Sequence, residues 1–442
     1  MKVLSKLKTL LFVLANLLFL CLGAQEVVFE EYDLANGLHV ILHQDNRAPV
    51  VTTSVLYHVG AKDESPNRTG FSHFFEHLLF EGTKNIPRGE WFNLVSSNGG
   101  TNNAYTTDDF TYYYEVFPSN NLALGLWLES ERMLHPVINQ IGVDTQNEVV
   151  KTEKQSNFDD RPYGYYEDEI KKRLFKKHPY QRSSIGELEH LDAASLEEFL
   201  AFNHKYYVPN NAVLVVAGDI DIPMAKKKIQ SYFGPISKGD EIERTTIVEA
   251  PITAPITATY YDKNIQIPAV FSAYRTPGVK TREAKVLEMI SAYLSSGKSS
   301  KLYKKMVDER AIALEVDAFT TALEDYGFYI ILSLPLEGVS LTELVVAMDE
   351  EVSLLQKELI SENDFQKIKN KFEAQFVNSN ASVEGIAESL AQYYMINGNT
   401  NLINTEIELY RSISREEILQ VANKYLSKNQ RLILNYLPSD SN

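Results

Sequence analysis

Cysteine is nearly absent from this 442-residue chain: Cys21, in the apolar segment at its start, stands alone. Disulfide cross-links are thereby excluded, and so is thiol catalysis in any form of the chain that has lost that segment. Histidine is scarce, with nine residues, and none follows His204. Chemistry that needs imidazole is thus confined to the first half. Long apolar runs are missing as well: Leu10 to Leu22 is short for a membrane span. Positive charge is in deficit, 43 Lys and Arg against 59 Asp and Glu, for a net −16. Such a surface repels a phosphate backbone, so nucleic acid is not an expected partner, and neutral or basic substrates are mildly favoured.

What is there begins with a leader. Lys2, Lys6 and Lys8 precede the apolar run, and Gly23-Ala24 follow it. This is the layout of a secretory signal peptide over residues 1–24, with a periplasmic or secreted mature chain and no stable membrane anchor expected. Removing three lysines and no acids takes the charge from −16 to −19. Bulky Phe19 and Leu20 fit a lipidation site at Cys21 poorly. With 44% hydrophobic and 23% charged residues, the remainder reads as a folded protein of two domains.

Strand and helix patterns alternate. Residues 26–60 read as strands around an Asn36-Gly37 turn, residues 70–81 and 88–98 as helices, and the Tyr/Thr-rich stretch 103–117 as a strand. Helices are predicted over 119–135, 143–156 and 164–175. The second half carries strand patterns at 257–275 and 314–335 and helices at 281–309, 340–359, 361–380 and 383–397. A repeat is visible by eye: "SLEEFLAFNHKYYVPNNAVLVVAGD" from Ser195 and "SREEILQVANKYLSKNQRLILNYLP" from Ser414 align without a gap. Identities include Glu198/Glu417, Lys205/Lys424 and Asn210/Asn429. Each opens with a Ser-x-x-Glu capping box, runs through an amphipathic helix and ends in an apolar strand. The reading is duplication: a domain over 25–240, a polar linker over 241–255 and a similar domain over 256–442.

The chemistry sits in "FSHFFEHLLFEGT", residues 71–83. His73 and His77, four apart, share a helix face, and Glu76 lies about 60° round the helix from His73. Two imidazoles and a carboxylate among six apolar neighbours are costly unless something satisfies them, and a metal would. The order His-x-x-Glu-His is a known zinc-peptidase motif. In it Glu76 is aimed at the attacking water rather than at the metal. A third ligand is needed. His39, His43, His58, His135, Glu148 and Glu153 are all candidates, and spacing does not choose between them.

Taken together, "HFFEHLLFEGT", "NAYTTDDFTYYY" and "EVVKTE", with Glu153 lying 76 positions after His77, resemble the pitrilysin/mitochondrial-processing-peptidase family of zinc metallopeptidases. The likeness covers most of the mature chain. It implies an α+β fold of two similar duplicated α/β sandwich domains forming one half of a clamshell chamber. It also implies one Zn2+ per chain on His73, His77 and Glu153, with Glu76 as general base in peptide-bond hydrolysis. Asn103 and Ala104 would hold the backbone of an extended peptide substrate. Two departures stand out. The family often has a glutamate seven positions before the third ligand, where this chain has Gln146. In the stretch "DERAIALEV", Arg310 matches a substrate-gripping arginine, but the family's tyrosine four residues on is Leu314. Family members of this length work as pairs of chains, so the resemblance implies a dimer, and the half grip points to a heterodimer whose other subunit supplies an Arg/Tyr pair, the alternative being a homodimer that tolerates leucine. The contrasting expectation is a non-catalytic peptide-binding or assembly subunit, which would have no use for Glu76.

Overall fold

The structure is a computed structural model and describes residues 26–439; the leader and Cys21 lie outside the described residues. Two mixed sheets organise it. The first holds β1 (Glu30–Asp33), β2 (His39–Gln44), β3 (Val50–Tyr57), β4 (Thr101–Thr106), β5 (Thr111–Pro118) and β6 (Ala212–Gly218) in the order β1-β2-β6-β3-β5-β4. The second holds β7 (Ile256–Asp262), β8 (Ala269–Pro277), β9 (Ala313–Ala322), β10 (Tyr326–Pro335) and β11 (Arg431–Pro438) in the order β7-β11-β8-β10-β9. Without β1 the sheets share one topology. β2 lies parallel to β6 as β7 does to β11, and every other neighbour is antiparallel. The repeated unit closes each sheet: capping boxes at Ser195 and Ser414 start helices Leu196–Tyr206 and Arg415–Tyr425, which lead through short 3-10 turns into β6 and β11. Duplication is therefore structural as well as sequential.

Two expectations are corrected. The strand predicted at 103–117 is a hairpin, β4 and β5, because the Thr107 hydroxyl accepts from the backbone N–H of Asp109 and Phe110 and closes a turn there. The helix predicted over 281–309 ends at Ser295, and a separate wide turn covers Tyr303–Glu309. Gly297, at φ +77°, falls in the break.

The packing contains something the linear domain reading does not. β6 is buried along its whole length, so both faces of the first sheet need cover. On one face Val40, Val55, Leu214 and Val216 meet helices of their own half. On the other, Ile41, Leu56, Tyr112, Val213 and Val215 meet Ile386, Ala387, Leu390 and Ala391, from helix Val383–Gln392 of the second half. The second sheet is covered reciprocally: Phe271, Phe328, Leu432 and Leu434 pack on Ile170, Leu174 and Phe175, around helix Tyr166–Leu174 of the first half. Each half lends a helix to the other.

A buried cation fixes the ground under the His-x-x-Glu-His segment. Arg132, on helix Leu122–Leu134, has a wholly buried side chain, as do its partners Glu115 (3.0 Å) and Glu129 (3.1 Å). Its guanidinium carbon lies 4.2–4.4 Å from the ring centroids of Phe80, Trp91 and Tyr113. Burial, with the Glu129 charge beside it, pushes the Glu115 carboxyl well above the usual range.

Both tryptophans, Trp91 and Trp127, belong to the first half. The exchange predicts that Leu390→Ala, a cavity in the second half's helix, lowers by about 2–5 kcal/mol the stability read from tryptophan fluorescence in urea. An unmoved transition would mean the halves unfold independently. Arg132→Met, which strands two buried carboxyls, should cost about 3–5 kcal/mol by the same titration.

Candidate metal centre

The histidines stand on helix Phe71–Leu78, whose start is set by Gly70 at φ +87°. A β-carbon at Gly70 would lie 2.5 Å from the Ile185 carbonyl oxygen, so only glycine fits the turn. Phe71, Phe74, Phe75 and Leu78 are buried against Phe199 and its neighbours. That apolar face turns His73, Glu76 and His77 outward, half-buried. Both helix ends are tied. The Glu64 carboxyl accepts from the backbone N–H of Gly70 and of Ser72, each at 2.7 Å. At the far end Arg132 Nη1 donates to the Leu79 carbonyl at 3.2 Å and Tyr113 Oη to that of Phe75 at 2.9 Å.

Glu153 comes from the last turn of helix Gln140–Lys154, packed beside the histidine helix. Its Oε2 lies 3.1 Å from His77 Nε2 and 3.5 Å from His73 Nε2, and the two nitrogens are 3.3 Å apart. Hydrogen bonds from the two imidazoles hold the Glu153 carboxyl far below the usual carboxylate range. Burial disfavours the His73 imidazolium, but Glu153 and the nearby Glu76 charge outweigh it and raise its pKa. Two nitrogens and one oxygen in a triangle of 3.1–3.5 Å edges suit a small tetrahedral cation. Bonds of about 2.0–2.1 Å give a tetrahedron edge of about 3.3–3.4 Å. The donor set therefore fits zinc, and it is the one such cluster among the described residues.

The other candidate ligands are engaged elsewhere. His39 bonds Asp33 at 2.8 Å and stacks on Tyr394, while His43 bonds the Val28 carbonyl at 2.7 Å. His58 pairs with Glu324 at 2.7 Å, His135 with Glu131 at 3.3 Å, and Glu148 with Lys151 at 3.1 Å. Glu76 accepts no hydrogen bond from any described residue. It lies near Tyr113 and Tyr207, whose phenols burial keeps neutral, with a smaller contribution from the Glu76 charge.

Asn103 and Ala104 sit on β4, which ends the sheet and pairs only with β5. The histidine helix packs beside it, and Ala104 faces that helix layer. Gln146 does not touch the donors: its amide bonds Glu81, which Arg88 also holds. Arg310 is in the second half, its guanidinium paired with Glu350, and Leu314 is 51% exposed at the start of β9. The structure thus joins His73, His77 and Glu153, places Glu76 and β4 beside them, and leaves Gln146 and Arg310 outside the cluster. Sequence reasoning passed over Glu64 and Arg132, which hold the helix. A carboxyl just before an N-terminus was the available signal for the first; the second, amid "LESERM", reads as surface.

Comparison with known proteins bears on this geometry. Residues 39–187 match the family described as insulinase (peptidase family M16), and residues 193–372 match the peptidase M16 inactive domain. The zinc protease PqqE of Helicobacter pylori is 26% identical over 407 residues, 91% of each chain. A solved protease from Helicobacter pylori superposes with a TM-score of 0.86 at 25% identity, over 93% of this chain and all of that one. The Escherichia coli periplasmic protease PqqL shares the fold, with a TM-score of 0.77 at 17% identity over 94% of this chain and 48% of its own. Matched along both sheets and in both domain types, the chain belongs to peptidase family M16.

Proposed function

We propose that this chain is an exported zinc endopeptidase that hydrolyses extended or unfolded peptides, with Zn2+ held by His73, His77 and Glu153. The observation that carries this reading is the convergence of those three donor atoms beside the free edge of β4. Zinc bound there would supply Lewis acidity, polarising the peptide carbonyl and lowering the pKa of water from about 15.7 to about 7.

The chain's own residues do the rest. Glu76 takes the proton of the attacking water and hands it to the departing amine. A base for that task must be free, and Glu76 is the carboxylate of this site with no hydrogen-bond donor on it among the described residues. β4 orients the substrate: a peptide added as a strand pairs with the edge at Asn103 and Ala104. Strand addition requires an extended backbone, which selects unfolded segments over folded ones.

Leu314 and Arg310 support a paired assembly. Arg310 is neutralised by Glu350, and an apolar side chain stands where a tyrosine hydroxyl would help grip the substrate. The reading is a dimer, and specifically a heterodimer in which the other subunit provides that grip. Export rests on the leader at residues 1–24. No helix among the described residues is long and apolar enough to cross a membrane, and the related PqqL is a periplasmic protease.

Glu76→Gln should retain stoichiometric zinc and lose about 10²–10⁴-fold in kcat on a mixture of unstructured peptides. Persistent chelator-sensitive turnover in that variant would remove Glu76 from the mechanism. Native mass spectrometry of the chain purified from its own host should find a complex of two different subunits. A fully active homodimer would overturn the heterodimer and leave the zinc site standing.

A further inference from the structure

The second half carries no histidine, yet its β9–β10 turn, residues 323–325, reaches across to the first half at His58, Lys62 and Asp109. It lands on a strap, residues 60–64, that ends in Glu64. Lys62, in the middle of the strap, is almost fully buried. Its ammonium lies 2.6 Å from Glu324 Oε2, 2.8 Å from Asp109 Oδ1 and 3.7 Å from Asp325 Oδ2. The same Glu324 carboxyl pairs with His58 at 2.7 Å and with Lys280 at 3.1 Å, and the Glu324 backbone N–H donates to Asp109 Oδ2 at 2.8 Å. The strap has little freedom of its own. Ala61 and Lys62 donate backbone hydrogen bonds to the carbonyls of Thr107 and Asp108, and Asp63 is paired with Arg244 at 2.7 Å. At Gly60 a β-carbon would lie 2.5 Å from the Asp108 backbone, so the strap lies flat on the turn joining β4 to β5.

We propose that Glu324 is a positioning residue for the metal helix, acting through Lys62 and then through Glu64. The inference rests on the zinc reading of His73, His77 and Glu153. The route is short. Lys62 and Glu64 flank one residue of a 3-10 turn, Ala61–Asp63, and the Glu64 carboxyl fixes the first N–H groups of the helix that presents His73 three residues into it. Without the Glu324 carboxylate, Lys62 keeps Asp109 and, at 3.7 Å, Asp325, and loses the closest of its three acidic partners. The Lys62 side chain then repacks, the 3-10 turn shifts within its remaining backbone bonds, Glu64 moves with it, and the triangle of donors opens on the His73 side. On this account the domain without metal ligands orients the one that carries them. Elsewhere the halves are also bonded away from the strap. Thr400 Oγ1 donates to Glu31 Oε2 at 2.7 Å, at the opposite edge of the first sheet, and serves as the control.

The test uses the full mature chain with Co2+ in place of zinc, because the visible bands of cobalt report ligand geometry directly and the same donors take either ion. Glu324→Gln and Lys62→Met should each change the position or intensity of those bands and lower kcat about 2- to 30-fold, with KM unchanged. The double variant should lose no more than the worse single one, and Lys62→Arg should restore both readouts. Thr400→Val should leave the bands and kcat at wild-type values. Wild-type bands and kcat in folded Glu324→Gln would overturn the proposal, as would equal changes in Thr400→Val, which would mean generic loosening between the halves. If the wild-type chain takes up no stoichiometric cobalt, the zinc reading itself fails and the positioning role falls with it.

Discussion

An eight-residue helix cannot hold itself in water, and this one carries the two imidazoles that the proposed zinc reading needs held to within about half an ångström. That constraint organises everything near the site. A helix this short has as many unsatisfied backbone groups at its ends as satisfied ones along it. Here the surroundings meet that deficit. Glu64 takes two N–H groups at the start, while Tyr113 and Arg132 give hydrogen bonds to carbonyls at the finish. The apolar face does the remaining work, since Phe71, Phe74 and Phe75 lock the rotation of the helix against Phe199. Rotation decides the chemistry, because a turn of one residue would carry His73 and His77 from the groove into the core.

Duplication gave the chain two copies of the same frame and chemistry in only one. In the second half, helix Arg282–Ser295 follows β8 as the histidine helix follows β3, and helix Glu362–Ser379 stands where the Glu153 helix does. Between them, beside β9, lies a cavity of about 520 Å³ lined by Glu288, Ser295, Lys371 and Tyr410. No imidazole faces it, and its polar groups bond one another: Tyr410 donates to Glu288, and Lys371 to Ser296. The two frames are bound together by exchanged helices rather than by a simple facing surface. Each sheet needs the other half to bury its second side, so neither half offers a complete core alone.

Much of this was legible in the sequence, and the misses share a cause. His73, Glu76 and His77 could be read because a local motif fixes their relation through helix geometry alone. The repeat at Ser195 and Ser414 could be read because a capping box and a period survive divergence. The third ligand was not legible from spacing. Glu148 and Glu153 share a helix, and only the packing of that helix turns Glu153 to the histidines and Glu148 to Lys151 and solvent. The exchange of helices 166–174 and 383–392 was invisible for a related reason: an amphipathic pattern states that a face is buried, not which sheet buries it. Arg132, Glu129 and Glu115 were read over because charge in a helix or strand ordinarily means surface. Their burial depends on three aromatic rings brought from distant segments.

Four glutamates around one short helix are used in four different ways, and the difference lies wholly in what faces each carboxyl. Glu115 is buried beside a second carboxyl, which pushes its pKa up, and its task is to pair with Arg132. Glu64 meets two backbone N–H groups, so it serves as a cap. Glu153 meets two imidazoles, which keep it ionised and make it a donor. Glu76 meets no donor among the described residues. A capped or paired carboxylate would have to break a bond before it could accept a proton, and the barrier would rise by the worth of that bond. Leaving Glu76 unpartnered costs stability at that position and keeps its lone pairs available. The other three carboxyls make that tolerable, because they hold the helix without it. On the proposed reading, the residue with no structural role in this site is for that reason the one free to move a proton.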